Sequence, residues 1–98
     1  MSEEDSWVKK EGNTAIVGLK KEIAEKVKEF VFIKLPEKGK EIKKGEEYVS
    51  VESVKWSGHF ESPVSGQIIE VNESLFDEPS KINKDPENTW IMKVNLKE

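Results

Sequence analysis

The apolar positions of this chain mostly alternate with polar ones, in short bursts separated by turns. Trp7-Val8-Lys9-Lys10 reads as a short strand, and Glu11-Gly12-Asn13 turns it back. Thr14 to Leu19 is a second strand. Leu19, Ile23, Val27 and Phe30 then recur at helical spacing, which predicts one helix over Lys20 to Glu29. Alternation resumes from Phe30 to Leu35, with Val31, Ile33 and Leu35 on one face, and Pro36 ends it. Lys38-Gly39 and Lys44-Gly45 mark turns. Tyr48 to Val54 is a further strand, with Val49 and Val51 on one side and Ser50 and Glu52 on the other. Gly66 to Asn72 is another, with Ile69 and Val71 in register. Asn72 to Asp85 has no clear period and reads as loop with one helical turn. Trp90, Met92, Val94 and Leu96 alternate and form the last strand.

Many short strands, frequent turns and one helix in the N-terminal half predict a mainly β protein, a barrel or sandwich. The 98 residues are expected to form a single domain, 1-98. The chain also carries an internal echo. Pro36-x-x-Gly39-x-x-Ile42-x-x-x-Glu46 returns as Pro63-x-x-Gly66-x-x-Ile69-x-x-x-Glu73. Each copy sets a tight turn before an apolar strand, and Lys55 lies between them. Two half-sheets related by a pseudo-twofold would produce this, with Lys55 on the joining hairpin; so few matches also arise by chance.

Composition narrows the functions. Charged residues make up 37% and apolar residues 35%, yet the apolar period argues against disorder. A net charge of −4 disfavours nucleic acid and anionic membranes as partners. All 16 basic residues are lysines, so no bidentate arginine clamp exists. The absence of cysteine excludes disulfides, thiolate metal sites and cysteine nucleophiles. His59 is the sole histidine, so no metal site is expected. No acid–base pair or nucleophile–histidine arrangement emerges, so no catalytic residue is expected and the protein reads as a non-enzyme. No apolar run approaches a membrane span, and Met1-Ser2-Glu3-Glu4-Asp5 is acidic where a secretory signal is basic. A cytoplasmic monomer is the expectation.

The chemistry centres on one lysine. Val51-Glu52-Ser53-Val54-Lys55 runs from a strand into a turn-rich segment, and Ser62-Pro63-Val64-Ser65-Gly66 follows. A lysine amine can form an amide with a carboxylic cofactor such as lipoate or biotin. Placed at a rigid hairpin tip, it would leave the attached arm free to visit successive active sites at high effective concentration. Lys55 taken alone is one of 16 surface lysines; its neighbours single it out.

With those neighbours, the chain resembles the glycine cleavage system H-protein family. The attachment motif Glu-Ser-Val-Lys stands at Glu52 to Lys55, and the downstream Ser-Pro-x-Ser-Gly at Ser62 to Gly66. Glu70-Val71-Asn72, Leu35-Pro36-Glu37-Lys38-Gly39 and Ile82-Asn83 fit as well, as do Trp7-Val8-Lys9 and Glu11-Gly12. The likeness runs from Trp7 to about Asn95. Biotin carriers carry Met-Lys-Met at the site, which Val54-Lys55-Trp56 does not match. The resemblance implies a flattened β barrel of two sheets, of the biotinyl/lipoyl-carrier type, with lipoate bound covalently to Lys55. It implies Glu52 as a recognition charge for a lipoate-attaching enzyme; an outward-facing strand residue is the plainer alternative. It implies as partners a glycine decarboxylase that loads an aminomethyl group, an aminomethyltransferase and a dihydrolipoyl dehydrogenase.

Three departures stand out. The family's His-Glu-Trp reads Asp5-Ser6-Trp7. The acidic residue beyond the lipoyl lysine is His59, and Trp56 replaces a small residue. The chain stops at Glu98, where family members continue. Carboxylates at the first two positions would attract a cationic aminomethyl load, so a weak hold on that load is expected unless Asp5 or Glu61 compensates. Trp56 reads best as packing over its own hairpin, and alternatively as an apolar lid. Two other functions stay open: a lipoate-binding protein of another pathway, such as sulfur oxidation by a heterodisulfide-reductase-like system, or an unmodified interaction module.

Overall fold

In the computed structural model, residues 3–97 are described; Met1, Ser2 and Glu98 lie outside them. After a 3-10 turn at Glu3–Asp5, the strands are β1 (Ser6–Glu11), β2 (Thr14–Leu19), β3 (Phe30–Lys34), β4 (Glu41–Ile42), β5 (Glu47–Ser53), β6 (Ser57–Glu61), β7 (Gly66–Val71) and β8 (Trp90–Leu96). Helix α1 (Lys21–Val27) joins β2 to β3, and α2 (Ser74–Asp77) and α3 (Lys81–Lys84) lie between β7 and β8. The strands form a five-stranded sheet in the order β1-β2-β8-β7-β4 and a three-stranded sheet in the order β3-β5-β6. Every pairing is antiparallel. The fold is mainly β, as the alternation predicts.

The core lies where the inward faces of the two sheets meet. Ala15, Val17, Ile68, Met92 and Val94 come from the larger sheet, and Phe30, Ile33, Val49, Val51 and Phe60 from the smaller. Leu75 and Ile82 are fully buried from α2 and α3. Those helices are single turns that could not stand alone. Each buried aliphatic side chain contributes about 1.5–3 kcal/mol, which is what docks them.

Several expectations need correction. Residues 72–85 hold two short helices rather than a loop with one helical turn. Strand β6 falls in Ser57-Gly58-His59-Phe60-Glu61, which lacks an apolar alternation because Phe60 alone is buried. Val31 does not share a face with Ile33: it is 52% exposed, while Phe30 and Ile33 are buried. The register of β3 shifts between Phe30 and Phe32, and the extra residue swaps the face. A second shift between Ile68 and Glu70 puts Ile68, not Ile69, in the core.

The helix also ends early. It spans Lys21–Val27, and Lys28 takes φ 71°, ψ −154°. That region is almost reserved for glycine and costs a lysine on the order of 1–3 kcal/mol.

The sequence echo has a structural counterpart. Its two copies pair with each other, Glu41 opposite Gln67 and Ile42 opposite Gly66. The β5–β6 hairpin rises between them into the other sheet. Gly66 sits at φ 157°, and a Cβ there would collide with the Asn95 carbonyl oxygen. The copies are not equal, since β4 has two residues and β7 has six.

Candidate functional site

Lys55 stands at the tip of the β5–β6 hairpin, exposed, beside a Val54 that is 61% exposed. Its ammonium group has no hydrogen-bond or ion-pair partner among the described residues. Its backbone, in contrast, is tightly held. The Ser53 hydroxyl accepts the Lys55 N–H at 3.2 Å and the Trp56 N–H at 2.9 Å, and donates to the Trp56 carbonyl at 3.1 Å. The Ser53 N–H donates to the same carbonyl at 2.7 Å. A serine at a strand end reaching along its own chain is turn chemistry. It explains the serine of Glu52-Ser53-Val54-Lys55, to which sequence reasoning had assigned no role. The signal was present: a hydroxyl two residues before the presented lysine.

The other half of the signature holds the base of the same hairpin. Ser62 is buried; its hydroxyl donates to the Val64 carbonyl at 2.7 Å and accepts the Val64 N–H at 3.2 Å. Its backbone closes on the Lys44-Gly45-Glu46 turn, with Gly45 N–H to Ser62 O at 2.8 Å and Ser62 N–H to Glu46 O at 2.7 Å. Ser65 Oγ accepts the Lys44 N–H at 2.8 Å. Ser53 therefore shapes the tip and Ser62 the root.

Glu52 points outward on β5, opposite Phe32 on β3 and Ser57 on β6. Its carboxylate is exposed and without a partner among the described residues. Trp56 packs over its own hairpin, as its plainer reading predicts. Its ring centroid is 5.7 Å from that of Phe60, and it lies across Gly58, where a Cβ would come within 2.5 Å of it. Only glycine leaves room for that stacking.

Ser6 and His59 do not share an environment. Ser6 is buried, and its hydroxyl is 2.7 Å from the Tyr48 hydroxyl. Burial pushes the Tyr48 phenol well above its ordinary pKa; the Ser6 bond lowers it, and the negative charge of Asp5 raises it further. Ser6 thus ties the first strand to β5 and offers nothing to the surface. His59 is exposed on β6, its Nδ1 3.5 Å from Glu47 Oε1, a contact that becomes an ion pair only when the ring is protonated. A carboxylate therefore stands beside the position where the resemblance leads one to expect it. No cluster of His, Cys, Asp or Glu among the described residues could hold a metal ion. No helix among them is long and apolar enough to cross a membrane.

Comparison with known proteins agrees with this geometry. The family model for glycine cleavage H-protein matches residues 1–98. The chain belongs to that family. It is 45% identical over 91 residues to the glycine cleavage system H protein of Thermotoga maritima, covering 92% of this chain and 73% of the relative. It is 40% identical over 98 residues to a probable glycine cleavage system H protein of Aeropyrum pernix, covering 99% of this chain and 68% of the relative. The crystal structure of a glycine cleavage system H protein from Mycobacterium marinum superposes with a TM-score of 0.86 at 32% identity, over 94% of this chain and 78% of that one. The flattened two-sheet barrel expected from the resemblance is thereby established. H proteins are lipoyl carriers, generally non-catalytic, that work with the glycine cleavage enzymes. Neither the sulfur-oxidation role nor an unmodified interaction module is favoured.

Proposed function

We propose that Lys55 is the lipoate attachment site, and that this chain carries the arm among the enzymes of glycine cleavage. The supporting observation is its presentation: an exposed, unpartnered amine on a backbone turn that Ser53 holds rigid. The site fits the cofactor chemically. Lys55 Nζ supplies the nitrogen of an amide to the lipoate carboxyl, and nothing around it competes for that nitrogen. Once attached, lipoate supplies a redox-active dithiol at the end of a long flexible arm. The chain itself anchors and presents. Ser53 fixes the turn for the lipoate-attaching enzyme, and the free carboxylate of Glu52 gives that enzyme a charge to recognise. The partners are glycine decarboxylase, the aminomethyltransferase and dihydrolipoyl dehydrogenase. The chain acts as one domain, a cytoplasmic monomer that catalyses no step.

The test is attachment itself. Wild type and Lys55→Arg are incubated with lipoate, ATP and a lipoate ligase, and their intact masses are measured. Wild type gains one lipoyl group and Lys55→Arg gains none. An adduct on the arginine variant overturns the assignment to Lys55, and an unmodified wild type overturns the carrier reading for this chain.

A further inference from the structure

Ile82-Asn83 is the motif that the carrier reading leaves without a task. Its asparagine faces the one described non-glycine residue with positive φ, Lys28. A backbone conformation of that kind persists only where its surroundings hold it, and one side chain supplies the hold. Asn83 Nδ2 donates to the Lys28 carbonyl at 2.6 Å and to the Ala24 carbonyl at 3.4 Å, while Oδ1 accepts the Phe30 N–H at 2.9 Å. The clamp thus closes on both sides of Glu29. The Glu29 carbonyl in turn accepts the Val54 N–H at 3.2 Å, one residue before Lys55. Phe30 pairs with Ser53 in register, so the clamped segment and the attachment turn lie side by side.

We propose that Asn83 is a positioning residue for Lys55, acting through the strained Lys28–Phe30 segment and the Glu29 carbonyl. The proposal rests on Lys55 being the attachment site. Ser53 holds the Lys55–Trp56 side of the turn. The Val54 amide points away from the hairpin and takes its partner from outside it. Held on both sides, the turn meets the ligase already ordered, which reduces the ordering cost of binding. The chemistry at Nζ is untouched. Loss of the clamp therefore raises KM for the acceptor protein and leaves kcat nearly unchanged.

The experiment uses the full chain. Asn83→Ala, Lys28→Gly and the double variant are compared with wild type in two measurements, made well below their melting temperatures. One is amide hydrogen exchange at Val54; the other is KM and kcat of lipoate attachment, read by intact mass. In Asn83→Ala, Val54 exchange accelerates about tenfold, the size expected for one modest hydrogen bond, and KM rises several-fold. Glycine adopts the Lys28 conformation without strain. The double variant therefore recovers most of both losses.

A purely structural Asn83 would lower the melting temperature and leave Val54 exchange and KM at wild-type values; that result overturns the proposal. If Asn83→Ala fails to fold, Asn83→Asp keeps the acceptor for Phe30 and removes both donors, and the same measurements decide. A wild type that takes no lipoate would sink the Lys55 assignment instead, and Val54 exchange would still judge the clamp.

Discussion

Ser53 and Asn83 hold the same turn by opposite means. Ser53 reaches two and three residues along its own chain, and its contacts form whenever the hairpin forms. Asn83 reaches back to Lys28 from across most of the chain, and its contacts exist only once α3 has docked beside α1. The local device needs little ordering. The remote one holds a residue in a strained conformation and couples the tip to the far half of the protein. One motif can thus be read from adjacent residues, while the other has meaning only in the folded molecule.

The difference predicts unequal energies. Asn83→Ala removes three hydrogen bonds and the support of the Lys28 conformation, leaving Lys28 C=O and Phe30 N–H without those partners. The expected destabilisation is about 2–3 kcal/mol, a fall in melting temperature of roughly 10 °C or more. Ser53→Ala frees turn groups that water can reach, so its expected cost is about 1 kcal/mol. Its effect on attachment should outweigh its effect on melting, and Ser53→Thr, which keeps the hydroxyl, should restore attachment. Equal losses of stability from the two alanine variants would erase the distinction. Lys28→Gly alone relieves the strain and should raise stability by about 0.5–1 kcal/mol in thermal unfolding.

The same contrast explains what the sequence let one see. The strands were legible where alternate residues of one face are buried, as Val49 and Val51 are in β5 and Met92 and Val94 in β8, although each strand also buries one extra residue at a register shift, Tyr48 and Ile91. They were misjudged at Phe30–Phe32 and Ile68–Glu70, where one inserted residue swaps the buried face. The end of α1 was overrun because no glycine marks it; Lys28 is held there by a side chain distant in sequence. Lys55, the proposed attachment site, stands out in the sequence because its turn chemistry is contiguous. The Ser6–Tyr48 bond and the Asn83 clamp do not, because each joins residues that no local pattern connects.

The smallest expected effect asks whether the remote hold has a second part. Glu78 and Lys84 bracket the segment that carries Asn83, with Lys84 Nζ 3.0 Å from Glu78 Oε2 and both side chains exposed. The hydrogen bond from Lys84 holds the Glu78 carboxyl below its ordinary pKa; the charge of Lys84 adds to this, desolvation opposes it, and the charge of Lys81 adds least. A carboxyl with a depressed folded pKa stabilises the fold above its unfolded pKa, about 4.3 for glutamate. That contribution fades as pH falls through the folded value. Exposed pairs contribute little and are screened by salt, so melting should scarcely respond. Glu78 should titrate below the ordinary glutamate value by NMR, and Lys84→Ala or high salt should return it there. The protection of the Val54 amide, its exchange rate relative to the intrinsic rate at each pH, should stay constant across this titration, because the clamp on either side of Glu29 is made by Asn83 and carries no charge. If the protection of Val54 instead falls as Glu78 gains its proton, the ion pair belongs to the clamp. The remote hold on Lys55 would then be sensitive to acid while the local hold of Ser53 is not.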